Sequence, residues 1–125
     1  MLEFAVHFQS GLPAYEQVVY AVKKALVARV LKPGDMFPSV RKMSQELRIN
    51  PNTAHKAVAA LVAEGLLEVK PGLGTVVSAA PQATRKQRSQ ILGPEVERLV
   101  VEAKQLGLEA DEIVEAVRSH WKRLR

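Results

Sequence analysis

A chain of 125 residues, 47% hydrophobic and 25% charged, has the balance of one compact globular domain plus an appendage. No apolar run reaches the roughly 18–20 residues of a membrane span, Met1-Leu2-Glu3-Phe4 opens no signal-peptide pattern, and the lack of cysteine excludes disulfides, thiolate metal sites and a cysteine nucleophile. Lys and Arg number 18 against 13 acidic residues, and this net charge of +5 favours a polyanionic partner, whereas 5% aromatics argue against the stacking platforms used for single strands. His7, His55 and His120 are too scattered for a metal site, no cofactor is expected, and the expected location is the cytoplasm.

Leu2, Phe4, Val6 and Phe8 alternate with polar or small residues and predict a short first strand or an extended lead-in. A helix is predicted from Pro13 to about Arg29, with Val18, Val22, Ala25 and Leu26 as its buried stripe. Lys32-Pro33-Gly34-Asp35 stops it in a type II turn, proline presetting the first central position and glycine supplying the positive φ of the second. A second helix starts at Pro38-Ser39 with Ser39 as N-cap and Val40, Met43 and Leu47 facing inward. After a break at Arg48-Ile49, Asn50-Pro51 repeats the start signal, and a third helix runs to Glu64 with Gly65 as its terminal glycine. Two β-prone runs, Leu66 to Lys70 and Thr75 to Ser78, flank Pro71-Gly72-Leu73-Gly74 and read as a hairpin. The order describes a mainly α fold with a small β wing, a winged helix-turn-helix.

The third helix carries the most informative pattern. Ala54, Val58, Leu61 and Gly65 fall on one side, with Asn52, His55, Lys56 and Ala59 roughly opposite. That outer side is polar, small and free of acids until Glu64. A helix about 10–12 Å across enters a major groove about 12 Å wide only if its outer face stays slim. Asn52 can present its amide to adenine, and His55 and Lys56 can donate to guanine acceptors or to phosphate. The plain alternative is a solvated helix face. Arg41 stands in the first turn of helix two, where a cation opposes the helix dipole but suits a phosphate or guanine at the helix mouth. At the hairpin tip glycines let the backbone approach a sugar-phosphate edge, and Lys70 or Thr75 can hold the phosphate. The tip lacks the spacing of a nucleotide-phosphate loop.

Pro13-Ala14-Tyr15-Glu16-Gln17-Val18, Leu31-Lys32-Pro33-Gly34-Asp35, Phe37-Pro38-Ser39-Val40-Arg41, Asn50-Pro51-Asn52-Thr53 and Glu64-Gly65-Leu66 with Gly72-Leu73-Gly74-Thr75 resemble the GntR family of bacterial transcriptional regulators over about residues 9–78. Asn-Pro-Asn-Thr and the short tail resemble its YtrA-like branch. The resemblance implies operator contacts from Arg41, Asn50, Asn52, Thr53, His55, Lys56, Gly72, Gly74 and Thr75. It further implies a homodimeric repressor of its own or a transporter operon. Two positions depart from the pattern: many relatives have arginine where His55 or Lys56 stands, and Leu73 occupies a wing position that is often polar or basic.

Behind the wing, a polar and basic segment at 79–93 reads as a linker or helix start, dividing a DNA-binding domain at 1–78 from a helical dimerisation tail at 94–125. Leu92, Val96, Leu99, Ala103 and Leu106 form one stripe ended by Gly107; Ile113, Val117, Trp121 and Leu124 form a second. Pro94 either opens the first tail helix or kinks a longer one. Two short amphipathic helices cannot bury both stripes on each other, so they need a larger surface: the chain's own winged domain is one candidate and a second copy of the tail the better one, and a two-fold dimer calls for an inverted-repeat operator on double-stranded DNA. The tail offers little volume for a ligand pocket of the usual 300 Å³ or more, so no dedicated small-molecule effector domain is expected. The competing reading is a winged-helix protein-interaction module without specific DNA binding. No Ser-His-Asp or paired-carboxylate arrangement points to catalysis, and an enzyme is not expected.

Overall fold

The computed structural model describes residues 2–79 and 83–124. Two compact units divide the chain, Met1–Pro81 and Gln82–Arg125. The first holds α1 (Ala14–Val27), α2 (Val40–Leu47), α3 (Pro51–Ala63) and an antiparallel hairpin of β1 (Leu67–Lys70) and β2 (Gly74–Val77). Residues 2–9 form an irregular lead-in and no strand, with bends at Glu3 and Phe4. Their alternation serves packing instead of pairing: Phe4 is buried and stacks on Phe37 with ring centroids 5.8 Å apart. Gln17 of α1 staples the segment down. Its amide donates to the Gln9 and Leu12 carbonyls at 2.9 and 3.0 Å, and its oxygen accepts from the Gln9 N–H at 2.8 Å.

The core sits where the three helices meet the base of the hairpin. Val18, Val22 and Ala25 of α1, Met43 of α2, Ala54, Ala57 and Leu61 of α3, and Leu67 and Val77 of the wing form one buried cluster with Leu31 and Phe37. Val19 is also buried although it lies off the predicted stripe, and Leu26 is only half-buried. Full burial of a side chain such as Leu61 or Met43 contributes about 1.5–3 kcal/mol. Two alanines, Ala54 and Ala57, are buried on α3, which packs against both α1 and α2.

Local chemistry sets the helix ends. The Lys32–Asp35 turn closes through Asp35 N–H to the Lys32 carbonyl at 3.0 Å, with Gly34 at φ +89° as a type II turn requires. Ser39 caps α2, its hydroxyl accepting the Lys42 N–H at 3.1 Å. Arg48 then takes the left-handed conformation at φ 55° to turn the chain toward α3. The turn is clamped by Ser44: its hydroxyl donates to the Ile49 carbonyl at 2.8 Å, and its own carbonyl accepts the Ile49 N–H at 3.1 Å. Asn50 caps α3 by accepting the Asn52 N–H at 2.8 Å, and Pro51 opens the helix.

In the wing Leu67 pairs with Val77, Glu68 with Val76, Val69 with Thr75 and Lys70 with Gly74. β1 starts one residue later than predicted and ends at Lys70 as predicted, and β2 starts and ends one residue earlier. The far edge of β2 is also paired: Phe37 N–H donates to the Thr75 carbonyl at 2.8 Å, Val77 N–H to Asp35 at 2.9 Å, and Gly34 N–H to Val77 at 2.9 Å, with Met36 bridged to Val76. Periodicity did not signal this third segment, because one bridged residue makes no run. Gly74 has φ +117°, a backbone conformation that favours glycine, while a Cβ there would make an ordinary 3.4 Å contact with the Met36 methyl.

The second unit is helical from Arg85. Thr84 caps α4 (Arg85–Gln90) in a reciprocal capping box with Gln87, at 3.0 and 2.9 Å. The run continues through a π-helical turn, Ile91–Glu95, into α5 (Val96–Gln105). Pro94 lies inside that turn, so it interrupts a longer helix and does not open one; the basic segment at 79–93 is helix start from Arg85 onward, and Ala80–Gln82 lie outside the described residues. Lacking an N–H, Pro94 cannot bond the Gln90 carbonyl in an α register, and the wider π turn accommodates its ring. α5 ends as a Schellman motif, Leu108 N–H to Ala103 at 2.9 Å and Gly107 N–H to Lys104 at 3.1 Å. α6 (Ala110–Arg123) follows, with Asp111 and Glu112 in its first turn and His120, Lys122 and Arg123 in its last, aligned with the helix dipole.

Candidate nucleic-acid interface

α3 presents its outer face as the spacing predicts. Asn52, His55, Lys56 and Ala59 are exposed, Ala54, Ala57 and Leu61 are buried, and Thr53 and Val58 are half-buried. Glu64, the acid that ends the helix, pairs with Lys23 of α1 at 2.8 Å. The amino-terminal half of α3 is thus left without a carboxylate of its own. Asn50 has its side-chain oxygen committed to the cap, which leaves its NH₂ group as the part able to donate outward.

Arg41 is exposed in the first turn of α2, where no acidic residue accompanies it. Two exposed cations that sequence reasoning passed over join the same stretch: Lys42, whose backbone the Ser39 cap holds, and Arg48 at the turn into α3. The wing tip carries Lys70, Gly72 and Gly74, all exposed, and a half-buried Thr75. A turn closed by Leu73 N–H to the Lys70 carbonyl at 3.0 Å forms the tip, and Leu73 is 59% exposed.

Hydrogen bonds link these elements through the backbone. The Phe37 amide ties β2 to the residues that lead through Ser39 into Arg41, and Ser44 fixes the turn between α2 and α3. Side chains with cationic, amide and hydroxyl donors therefore project from scaffolded positions. This chemistry can engage phosphate oxygens and the acceptor-rich edges of base pairs. Tyr15 of α1 also reaches this face of α3: the Lys56 ammonium lies over its ring, 4.5 Å from the centroid. No periodic or spacing signal marked Tyr15, because the contact joins residues 41 positions apart in sequence.

In the second unit Leu92, Val96, Leu99, Leu106, Val117 and Trp121 are exposed, Ile113 and Leu124 are half-buried, and Ala103 is covered by its own chain. Ile91, Val100, Val101, Leu108 and Val114 widen this exposed apolar surface beyond the two predicted stripes. Among the described residues no helix is long and apolar enough to cross a membrane.

Comparison with known proteins places this geometry. The model of bacterial regulatory proteins of the gntR family matches residues 14–77. The transcriptional repressor YtrA of Bacillus subtilis is 31% identical over 111 residues, covering 88% of this chain and 85% of the repressor. Among solved structures, a transcriptional antiterminator from Listeria monocytogenes shares the fold with a TM-score of 0.88 at 24% identity, covering 97% of this chain and 91% of the other. The AraR DNA-binding domain, solved in complex with operator ORX1, has a TM-score of 0.55 at 28% identity and covers 62% of this chain and all (100%) of that domain. With the helix-turn-helix, the wing and the family match on the same residues, the chain belongs to the gntR family of bacterial regulatory proteins and is a winged-helix transcriptional regulator.

Proposed function

We propose that this chain is a homodimeric, sequence-specific repressor that binds an inverted-repeat operator in duplex DNA in the cytoplasm, governing its own or a transporter operon. The observation that carries the reading is the outer face of α3: exposed Asn52, His55 and Lys56, small Ala59, and no acid before the ion-paired Glu64. AraR bound to an operator and YtrA acting as a repressor support it by likeness. In this reading Asn52 and His55 meet base edges in the major groove. Arg41, Asn50, Thr53 and Lys56 serve the helix mouth and the backbone, and Lys70, Gly72, Gly74 and Thr75 bring the wing to a sugar-phosphate edge. The exposed tail stripe supports the dimer, since isolated apolar surface of that kind marks an interaction site.

The experiment is titration of DNA from upstream of the chain's own gene, with footprinting to locate the site. Arg41→Ala and His55→Ala are each expected to weaken binding about five- to 150-fold, the range of losing one good base or charge-assisted contact. The logarithm of affinity is expected to fall linearly with the logarithm of salt concentration. Unchanged affinity in both variants, or a flat salt series, rejects the docking arrangement. No footprint at moderate salt favours a protein-interaction module.

A further inference from the structure

We propose that Tyr15 is a positioning residue for DNA binding: its ring holds the Lys56 ammonium at the α1 flank of α3, assigning Lys56 to a phosphate and not to a base edge. This inference rests on the DNA-binding reading above. The Lys56 ammonium lies 4.5 Å from the Tyr15 ring centroid, within the range of a cation–π contact. Tyr15 packs against the hydrophobic core from the first turn of α1, and α1 packs on α3, so the ring is a fixed platform. Lys56, by contrast, is exposed and carries four rotatable bonds. Unheld, that side chain would sweep along the outer face it shares with Asn52 and Ala59. Drawn to the ring, it stands beside the helix, where a groove-bound rod meets the sugar-phosphate backbone. The ring restricts the lysine before DNA arrives, which lowers the ordering cost of the contact. The hydroxyl plays no part in this: it faces Glu16 at 3.4 Å.

The test uses the full chain, a duplex enriched by the wild-type chain from a randomised library, and a scrambled duplex of equal length. Tyr15→Leu is expected to weaken both complexes about two- to fivefold, the range of one exposed cation–π contact, leaving their ratio unchanged. Tyr15→Phe is expected to bind like the wild type. Lys56→Ala should reduce the salt slope by about 0.9, one phosphate contact, without altering preference at any base position. In the Lys56→Ala background Tyr15→Leu should have no further effect, whereas a purely structural role for the ring would weaken binding in both backgrounds and so overturn the proposal. In the DNA-free wild-type chain the Lys56 ε-methylene protons should resonate upfield under the ring current. That measurement stands even if Tyr15→Leu does not fold, and an unshifted signal overturns the proposal, as does a Lys56→Ala loss confined to one base position. The two readings fail separately: if the library yields no duplex that the wild-type chain binds, the DNA reading itself fails and this role with it, whereas Tyr15→Leu binding an enriched duplex like the wild type overturns this role alone.

Discussion

The Asn50 side-chain oxygen accepts the Asn52 N–H at 2.8 Å, so this residue holds α3 in place as well as standing at its mouth. Substitution separates the two tasks. Asn50→Ala is expected to cost about 1 kcal/mol, read as a lower denaturant midpoint at unchanged slope. Asn50→Asp keeps an acceptor at the cap and adds a charge favourable to the helix dipole, so its midpoint should match or exceed that of the wild type. The same carboxylate would face phosphate, and duplex affinity is expected to fall about tenfold or more, the equivalent of roughly 1.4 kcal/mol. An Asp variant that binds duplex like the wild type would place Asn50 away from the DNA. At this scale the sequence was legible wherever one residue acts on its immediate neighbours, as Ser39 and Asn50 do through their own side chains. It was not legible where the partner is distant: Val19 is buried off its stripe, and Tyr15 reaches Lys56 across two helices.

The same distinction governs the elements. Helices α1, α2 and α3 follow from their start and stop residues to within one or two positions, because capping and turn chemistry are local. The pairing of β2 with Asp35–Phe37 depends on a segment some forty residues upstream that has no strand-like run, and only the fold brings it to the edge. The tail shows a third case, in which Gly93-Pro94 is a strong local signal compatible with two structures. The chain resolves it as a π-helical turn, Ile91–Glu95, between α4 and α5. Proline inside a helix is about 3 kcal/mol less favourable than alanine, so this turn is the weak point of the long tail helix. The amides of Ile91, Leu92, Gly93 and Glu95 are therefore expected to exchange with solvent faster than those of α5. Pro94→Ala should slow that exchange and raise helical content. If the variant leaves the exchange of these amides unchanged, the proline is not what keeps the turn open.

For the molecule as a whole, the unequal covering of its two units is the feature that asks for a partner. The first unit closes a core on its own, with Val18, Val22, Met43, Ala54, Ala57 and Leu61 fully buried. The second leaves Leu92, Val96, Leu99, Leu106, Val117 and Trp121 exposed and buries, among its described residues, Ala103. Helices of this length gain most of their stability from packing an apolar face, so an uncovered tail is expected to be marginal, and a second tail offers a matching surface. Trp121 reports on this directly: it is the only tryptophan in the sequence and is 72% exposed in the single chain. If two tails associate over it, its emission should be blue-shifted at high protein concentration and move to the red on dilution, in step with the change from dimer to monomer in sedimentation. Leu99→Asp, which puts a charge in the middle of the stripe, should give the red-shifted monomer at every concentration while leaving the melting of the first unit unchanged. A dimer that forms with no movement of the emission would put the interface elsewhere, and a monomer at all concentrations would remove the physical reason for expecting an inverted repeat.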